Sequence, residues 1–124
     1  INDILLEKLD DDNALVRAEA INAIGELHIR DIEQQLIDRY YTEPEVCQVA
    51  IIKTIQKLNT GKSLEFLQET FIESNNTDTK KIIAEAILNY GKNGKVAFKA
   101  LKDNITGFDS LILQHIETPL IKFK

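Results

Sequence analysis

The stretch Asp12-Asn13-Ala14-Leu15-Val16-Arg17-Ala18-Glu19-Ala20-Ile21-Asn22-Ala23-Ile24-Gly25-Glu26-Leu27 decides the reading of the fold. Within it Val16, Ala20, Ala23, Ile24 and Leu27 recur at helical spacing and make one broad apolar stripe, where a strand would alternate. Moving forward 31 positions from Val16 leads to Cys47, Ile51, Thr54, Ile55 and Leu58. A further step of 32 leads to Thr79, Ile83, Ala86, Ile87 and Tyr90. Three copies of one amphipathic helix are therefore spaced along the chain, and the extra residue falls in the loop Ser74-Asn75-Asn76-Thr77.

A shorter helix precedes each copy, marked by Leu5, Leu6 and Leu9, then Leu36, Ile37 and Tyr40, then Leu67 and Phe71. Turn and capping residues separate the members of each pair: Asp10-Asp11-Asp12-Asn13, Thr42-Glu43-Pro44 and Asn75-Asn76-Thr77. Thr42 and Glu45 have the spacing of a capping box, with Pro44 in the first turn. A fourth pair is weaker, with Val96, Ala100 and Leu101 on its first helix and Phe108, Leu111, Ile112 and Ile116 on its second. Thr118-Pro119 is expected to stop that helix, because proline disfavours helical geometry in the residue before it. Leu120 to Lys124 are then extended or frayed, or packed across the end of the stack. The units run roughly over residues 1–29, 30–59, 60–91 and 92–124 of one domain. A pair of about 31 residues cannot bury its apolar side alone, so neighbouring pairs must stack to share a core.

The acidic residue, Val16-Arg17, the spaced alanines and the Ile24-Gly25 pair together resemble the signature of short HEAT-like repeats. The resemblance covers residues 1 to about 91; later units keep the apolar spacing but carry Gln48 and Lys80 where the first has Arg17. It implies an all-α fold, a right-handed α-α superhelix (solenoid) of about four antiparallel helix pairs. The tetratricopeptide pattern has a similar period, but its Trp, Leu-Gly and Tyr positions are not found, and the Thr-Pro-Leu-His turn of ankyrin repeats is missing as well.

Composition narrows the chemistry. A chain of 124 residues, 44% hydrophobic and 28% charged, can build a core without metal or disulfides. The net charge of −5 argues against sequence-independent nucleic-acid binding, which relies on clustered Lys and Arg. One local basic patch, Lys92, Lys95, Lys99 and Lys102, has the spacing of a helix face. The apolar runs are too short to insert in a membrane. The single Cys47 leaves a reducing cytoplasm, or the cytoplasmic side of a membrane, as the expected location. The chain starts at Ile1 and lacks methionine, which suggests a piece excised from a longer protein.

No metal site, cofactor site or catalytic constellation is expected. His28 and His115 are isolated, Asp10-Asp11-Asp12 suits a helix start, and Cys47 falls at an apolar position. The iron-dependent hydroxylases of HEAT-like architecture use His-Glu dipeptides, and both histidines here precede isoleucine. DNA glycosylases of similar architecture need a basic face with aromatic residues. The relationship to bilin lyases rests on the repeat alone and transfers no activity. The expected function is non-enzymatic: a scaffold that binds a protein or peptide, or alternatively a regulatory, spacer or docking domain of a larger, membrane-anchored bacterial protein.

In the HEAT-like family the second helix of each pair lines the concave surface. That resemblance assigns Glu19, Asn22 and Glu26 to the partner face, with Ala50, Lys53 and Lys57, then Ile82, Glu85 and Asn89, at the corresponding places. Arg17, Gln48 and Lys80 form a second ladder expected to link neighbouring units by hydrogen bonds to acidic or carbonyl groups.

Overall fold

The computed structural model describes residues 2–122, with side chains over residues 3–117. It is all-helical, with no strand among the described residues, and it divides into two compact units that meet between Thr60 and Gly61.

The first unit holds α1 (Asn2–Lys8), α2 (Ala14–Glu26), α3 (Glu33–Arg39) and α4 (Glu45–Leu58), with short 3-10 turns at Arg30–Ile32 and Tyr40–Thr42. Asn13 caps α2, its side chain accepting from the Leu15 amide at 2.8 Å and so satisfying one of the orphan donors of the first turn. α1 lies on α2, α3 lies on α4, and α2 packs along α4. Two polar contacts set the last approach: the Thr54 hydroxyl donates to the Ile21 carbonyl at 2.9 Å and the Cys47 thiol to the Ala14 carbonyl at 3.2 Å. Gly25 makes the approach possible, since a Cβ there would stand 3.0 Å from Thr54 Oγ1 and 3.3 Å from its Cα. The Ile24-Gly25 pair of the repeat signature thus works as a helix-packing device.

The second unit holds α5 (Leu64–Glu73), α6 (Thr77–Leu88), α7 (Gly94–Asn104) and α8 (Phe108–Lys122). α6 packs against α5, α7 and α8. Asn76 caps α6 by accepting from the Thr79 amide at 3.0 Å. Buried Tyr90 anchors the entry to the unit, its phenol oxygen accepting from the Gly61 amide at 3.0 Å and lying 3.0 Å from the buried Ser63 hydroxyl.

The apolar stripes of the middle copies are all core: Cys47, Ile51, Thr54, Ile55 and Leu58 are buried, as are Thr79, Ile83, Ala86, Ile87 and Tyr90. In α2 the buried set is instead Ala18, Ala20, Ile21, Ile24 and Gly25, while Val16 and Ala23 are half-buried and Leu27 is 55% exposed. The reason is that α2 meets α4 through Ala14, Ile21 and Gly25, a side adjoining the one the spacing picks out.

Four further expectations are corrected. The capping box at Thr42 and Glu45 does not form; Thr42 ends a 3-10 turn and donates to the Arg39 carbonyl at 3.1 Å, leaving Pro44 in extended backbone as the N-cap of α4. α7 buries Ala97, Phe98 and Leu101, whereas Val96 is 70% exposed and Ala100 is exposed, so its phase lies one residue from the expected one. On α8, Ile112 and Leu113 are buried while Phe108 and Leu111 are exposed. α8 also runs through Thr118-Pro119 to Lys122, since an interior proline, though costly through its lost hydrogen bond and its clash with the preceding turn, can be accommodated by a kink and need not end a helix. Phe123 and Lys124 lie outside the described residues, as does the side-chain packing expected for the segment from Leu120.

The fourth pair departs from the others in chemistry. Lys102 occupies the place held by buried Leu9, Tyr40 and Phe71 at successive steps of 31, and exposed Gln114 and His115 stand where the third copy buries Ile83 and Ala84. Lys102 reaches the Glu117 carboxylate at 2.6 Å.

Candidate partner-binding face

The residues assigned to the partner face stand on α2 and α4 in the first unit and on α6 in the second, and the inner side of each helix is held in the core of its own unit. On α2, Glu19, Asn22 and Glu26 are all exposed, on the side turned from Ile21 and Ile24. On α4, Lys53 and Lys57 are exposed, and Ala50 is buried and drops out of the face. Lys57 forms an ion pair with Glu26 across the two helices, so two of these residues meet directly. The hydrogen bond and the positive charge of Lys57 hold the Glu26 carboxyl below its ordinary range. In the second unit Glu85 and Asn89 are exposed on α6, Ile82 is half-buried, and the Asn89 side-chain amide donates to the Glu85 carbonyl at 2.8 Å. Asn89 therefore serves partly as a C-terminal cap of its own helix.

The ladder residues are engaged within the fold. Arg17 grips the Glu43 carboxylate through Nε at 3.2 Å and Nη2 at 3.0 Å, and its Nη1 donates to the Asp11 carbonyl at 2.7 Å. One guanidinium thus ties the turn of the first pair to the turn of the second, and Glu43 raises the Arg17 pKa further above its already high value. Arg39 joins from the other side, at 3.5 Å from Glu43 and 3.2 Å from Asp10. Gln48 donates to the Tyr40 carbonyl at 3.0 Å. Lys80 is buried, lies 2.9 Å from Asp109, and sits 4.8 Å above the Phe71 ring.

The Lys80 arrangement yields a paired prediction. Asp109→Asn strands a buried ammonium and is expected to cost about 1 to 2 kcal/mol, below the usual figure for a buried pair because Asp109 is about a third exposed. Lys80→Met, which removes the charge and keeps the length, is expected to be nearly neutral. Urea denaturation followed by circular dichroism separates the two; equal losses would contradict this reading.

The remaining candidates resolve in chemical terms. Burial, followed by the charge of Glu43, pushes the Cys47 thiol up, which keeps it protonated and a poor nucleophile. Burial likewise pushes the Tyr40 phenol up to about 12. Asp11 accepts from the Asn13 amide at 2.8 Å, in keeping with a turn at a helix start. Among the described residues no group of three His, Cys, Asp or Glu side chains converges as metal ligands. The basic patch is partly neutralised: Lys99 pairs with Asp103 at 3.8 Å, Lys102 pairs with Glu117, and Lys92 stands in the turn before α7.

Sequence reasoning passed over Leu15 and Val46, which are 63% and 43% exposed in the first turns of α2 and α4. Both lie outside the apolar stripe, and their recurrence at the common step of 31 was the available signal. Glu43 was also missed as the acceptor for Arg17, since no local pattern links residues 26 apart.

A family model of HEAT repeats matches residues 2–88. The chain, whose described residues are all-helical and arranged as helix pairs, belongs to the HEAT-repeat family. Members of this family commonly act as protein-interaction scaffolds and are in general not enzymes. No curated protein and no solved structure matches the chain. The family match stops before α7 and α8, where Lys102 on α7 and Gln114 and His115 on α8 stand at positions that earlier copies bury. No helix among the described residues is long and apolar enough to cross a membrane.

Proposed function

We propose that this chain is a non-enzymatic scaffold that binds a protein or peptide through the exposed side of the second helix of its repeats. The observation that carries the reading is the α2–α4 pair. Its inner side is locked by Thr54, Cys47 and Gly25, and its outer side displays Glu19, Asn22, Glu26, Lys53 and Lys57 as a rigid, charged surface. A pre-organised helix surface loses little entropy on binding, which suits recognition of a partner. Glu85 and Asn89 supply the corresponding positions on α6. A net charge of −5 and the pairing of Lys99 and Lys102 favour a protein partner over nucleic acid. The reduced, buried Cys47 fits a cytoplasmic setting, or the cytoplasmic face of a membrane.

The test is charge reversal on the outer side of α4. Lys53→Glu together with Lys57→Glu is expected to weaken binding to a partner isolated with the wild-type chain by about tenfold or more, the scale of a lost interfacial charge contact. Titration calorimetry measures the change, with a thermal melt to confirm that the variant is folded. Unchanged affinity for every isolated partner would exclude this face.

A further inference from the structure

Resting on the scaffold reading, we infer that the first turns of α2 and α4 form an anchoring site for a partner segment that joins an aliphatic or aromatic side chain to flanking Lys or Arg.

The placement follows from the helix junction. Cys47 meets the Ala14 carbonyl and Thr54 meets the Ile21 carbonyl, so α2 and α4 run side by side with their first turns level. Leu15 follows Ala14 and Val46 precedes Cys47, which brings both to the same end of the pair. Their exposures of 63% and 43% leave two aliphatic side chains open to water, while the core positions of both helices are filled by other residues. The equivalent position on α6 is Asp78, so the second unit does not repeat this feature. An apolar residue at this place is a property of α2 and α4 and not a demand of the repeat.

Charge selects the occupant. Asp12 and Glu19 flank Leu15, Glu45 adjoins Val46, and all three are exposed without an ion pair among the described residues. The nearby Arg17 and Arg39 are already engaged by Glu43 and Asp10. The apolar pair is therefore set among uncompensated carboxylates, and a segment that covers it meets negative potential on its rim. An acidic segment would be repelled, and a purely apolar one would leave the carboxylates unmatched. Basic residues around one apolar anchor complement both features, with the charges contributing orientation and association rate and the anchor contributing burial. Lys53 lies two turns further along α4 and supplies the opposite sign, which fixes the direction in which such a segment lies.

The experiment uses the whole chain as bait for a random twelve-residue peptide library displayed on phage, followed by fluorescence polarisation with the enriched peptides. The expected result is enrichment of peptides that pair Leu, Ile, Phe or Trp with Lys or Arg. Their affinity should fall at least tenfold in the Leu15→Asp, Val46→Asp variant, whose new residues match the natural Asp78, and should fall as salt is raised. Leu15→Ser with Val46→Ser, which adds no charge, should weaken binding less but in the same direction. Enriched peptides that are acidic, or that bind both variants as well as wild type, overturn the inference. If such peptides are lost on Lys53→Glu and Lys57→Glu, the scaffold reading survives without the anchoring site. Failure to enrich any peptide over an unrelated helical bait also overturns the inference.

Discussion

Phe71→Ala is expected to lower the stability of the protein by about 3 to 5 kcal/mol, the range for removing a fully buried aromatic side chain. Phe71 is inaccessible to solvent, so its loss leaves a cavity as well as removing the transfer free energy of the ring. A second effect adds to the first. The ring faces the Lys80 ammonium at 4.8 Å, and its removal deprives a buried cation of one of its two favourable neighbours, the other being Asp109. Phe71→Leu keeps most of the volume and is expected to cost only about 1 to 1.5 kcal/mol. Urea titration monitored by far-ultraviolet circular dichroism gives both values. A Phe71→Ala midpoint within error of the wild type would show that the contact between α5 and α6 is not part of the cooperative core.

Gly94→Ala is expected to destabilise the protein by about 3 kcal/mol, at the upper end of the usual penalty for overpacking. The sign makes this substitution informative. Inside an exposed helix, alanine is preferred to glycine by about 0.8 to 1.0 kcal/mol. At Gly94 the added Cβ would lie 2.4 Å from the Ile87 carbonyl oxygen, 3.1 Å from the Leu88 carbonyl oxygen and 3.3 Å from Tyr90 Cβ. The first two neighbours are backbone at the end of α6 and cannot rotate away as a side chain would. Glycine there lets α7 begin directly against the end of the preceding helix. A thermal melt of Gly94→Ala above that of the wild type would refute this account of the α6–α7 junction.

The first-turn residues of the fourth pair show where periodicity stops being informative. Val96, Phe108 and Leu111 belong to helices, as their spacing predicts, but all three are exposed, and Ala97, Phe98 and Leu113 take their places in the core. Spacing reports that a helix has an apolar side; it reports phase poorly when apolar residues stand at adjacent positions. The same ambiguity displaced the buried side of α2 toward Ala18 and Gly25. The copy on α4 shows less of it, because Cys47, Ile51, Thr54, Ile55 and Leu58 stand opposite Lys53 and Lys57, and only Ala50, expected on the exposed side, turns out buried.

For the candidate face, the exposed positions on α2 and α4 were legible for the same reason: charged residues outside an apolar stripe have nowhere to go but water. The pairing of Glu26 with Lys57 was not legible, nor was the clasp of Glu43 by Arg17, because each joins side chains from different helix pairs. Leu15 and Val46 were passed over because they stand outside the apolar stripe, and the exposure of such residues is decided only when the neighbouring helix is in place.

The amino-acid sequence by itself determined that this protein is helical, that its helices come in pairs with a period of 31 to 32 residues, and that it carries the HEAT-repeat signature around Val16 and Arg17. Those properties are written in local spacing and in turn residues, which act within a few residues along the chain. The tertiary structure decided which side of α2 and α7 is buried, that Gly25 and Gly94 are sites of close approach, and which acceptor each ladder residue holds. These outcomes depend on the distance between atoms many residues apart, set only when one helix has come to rest on another.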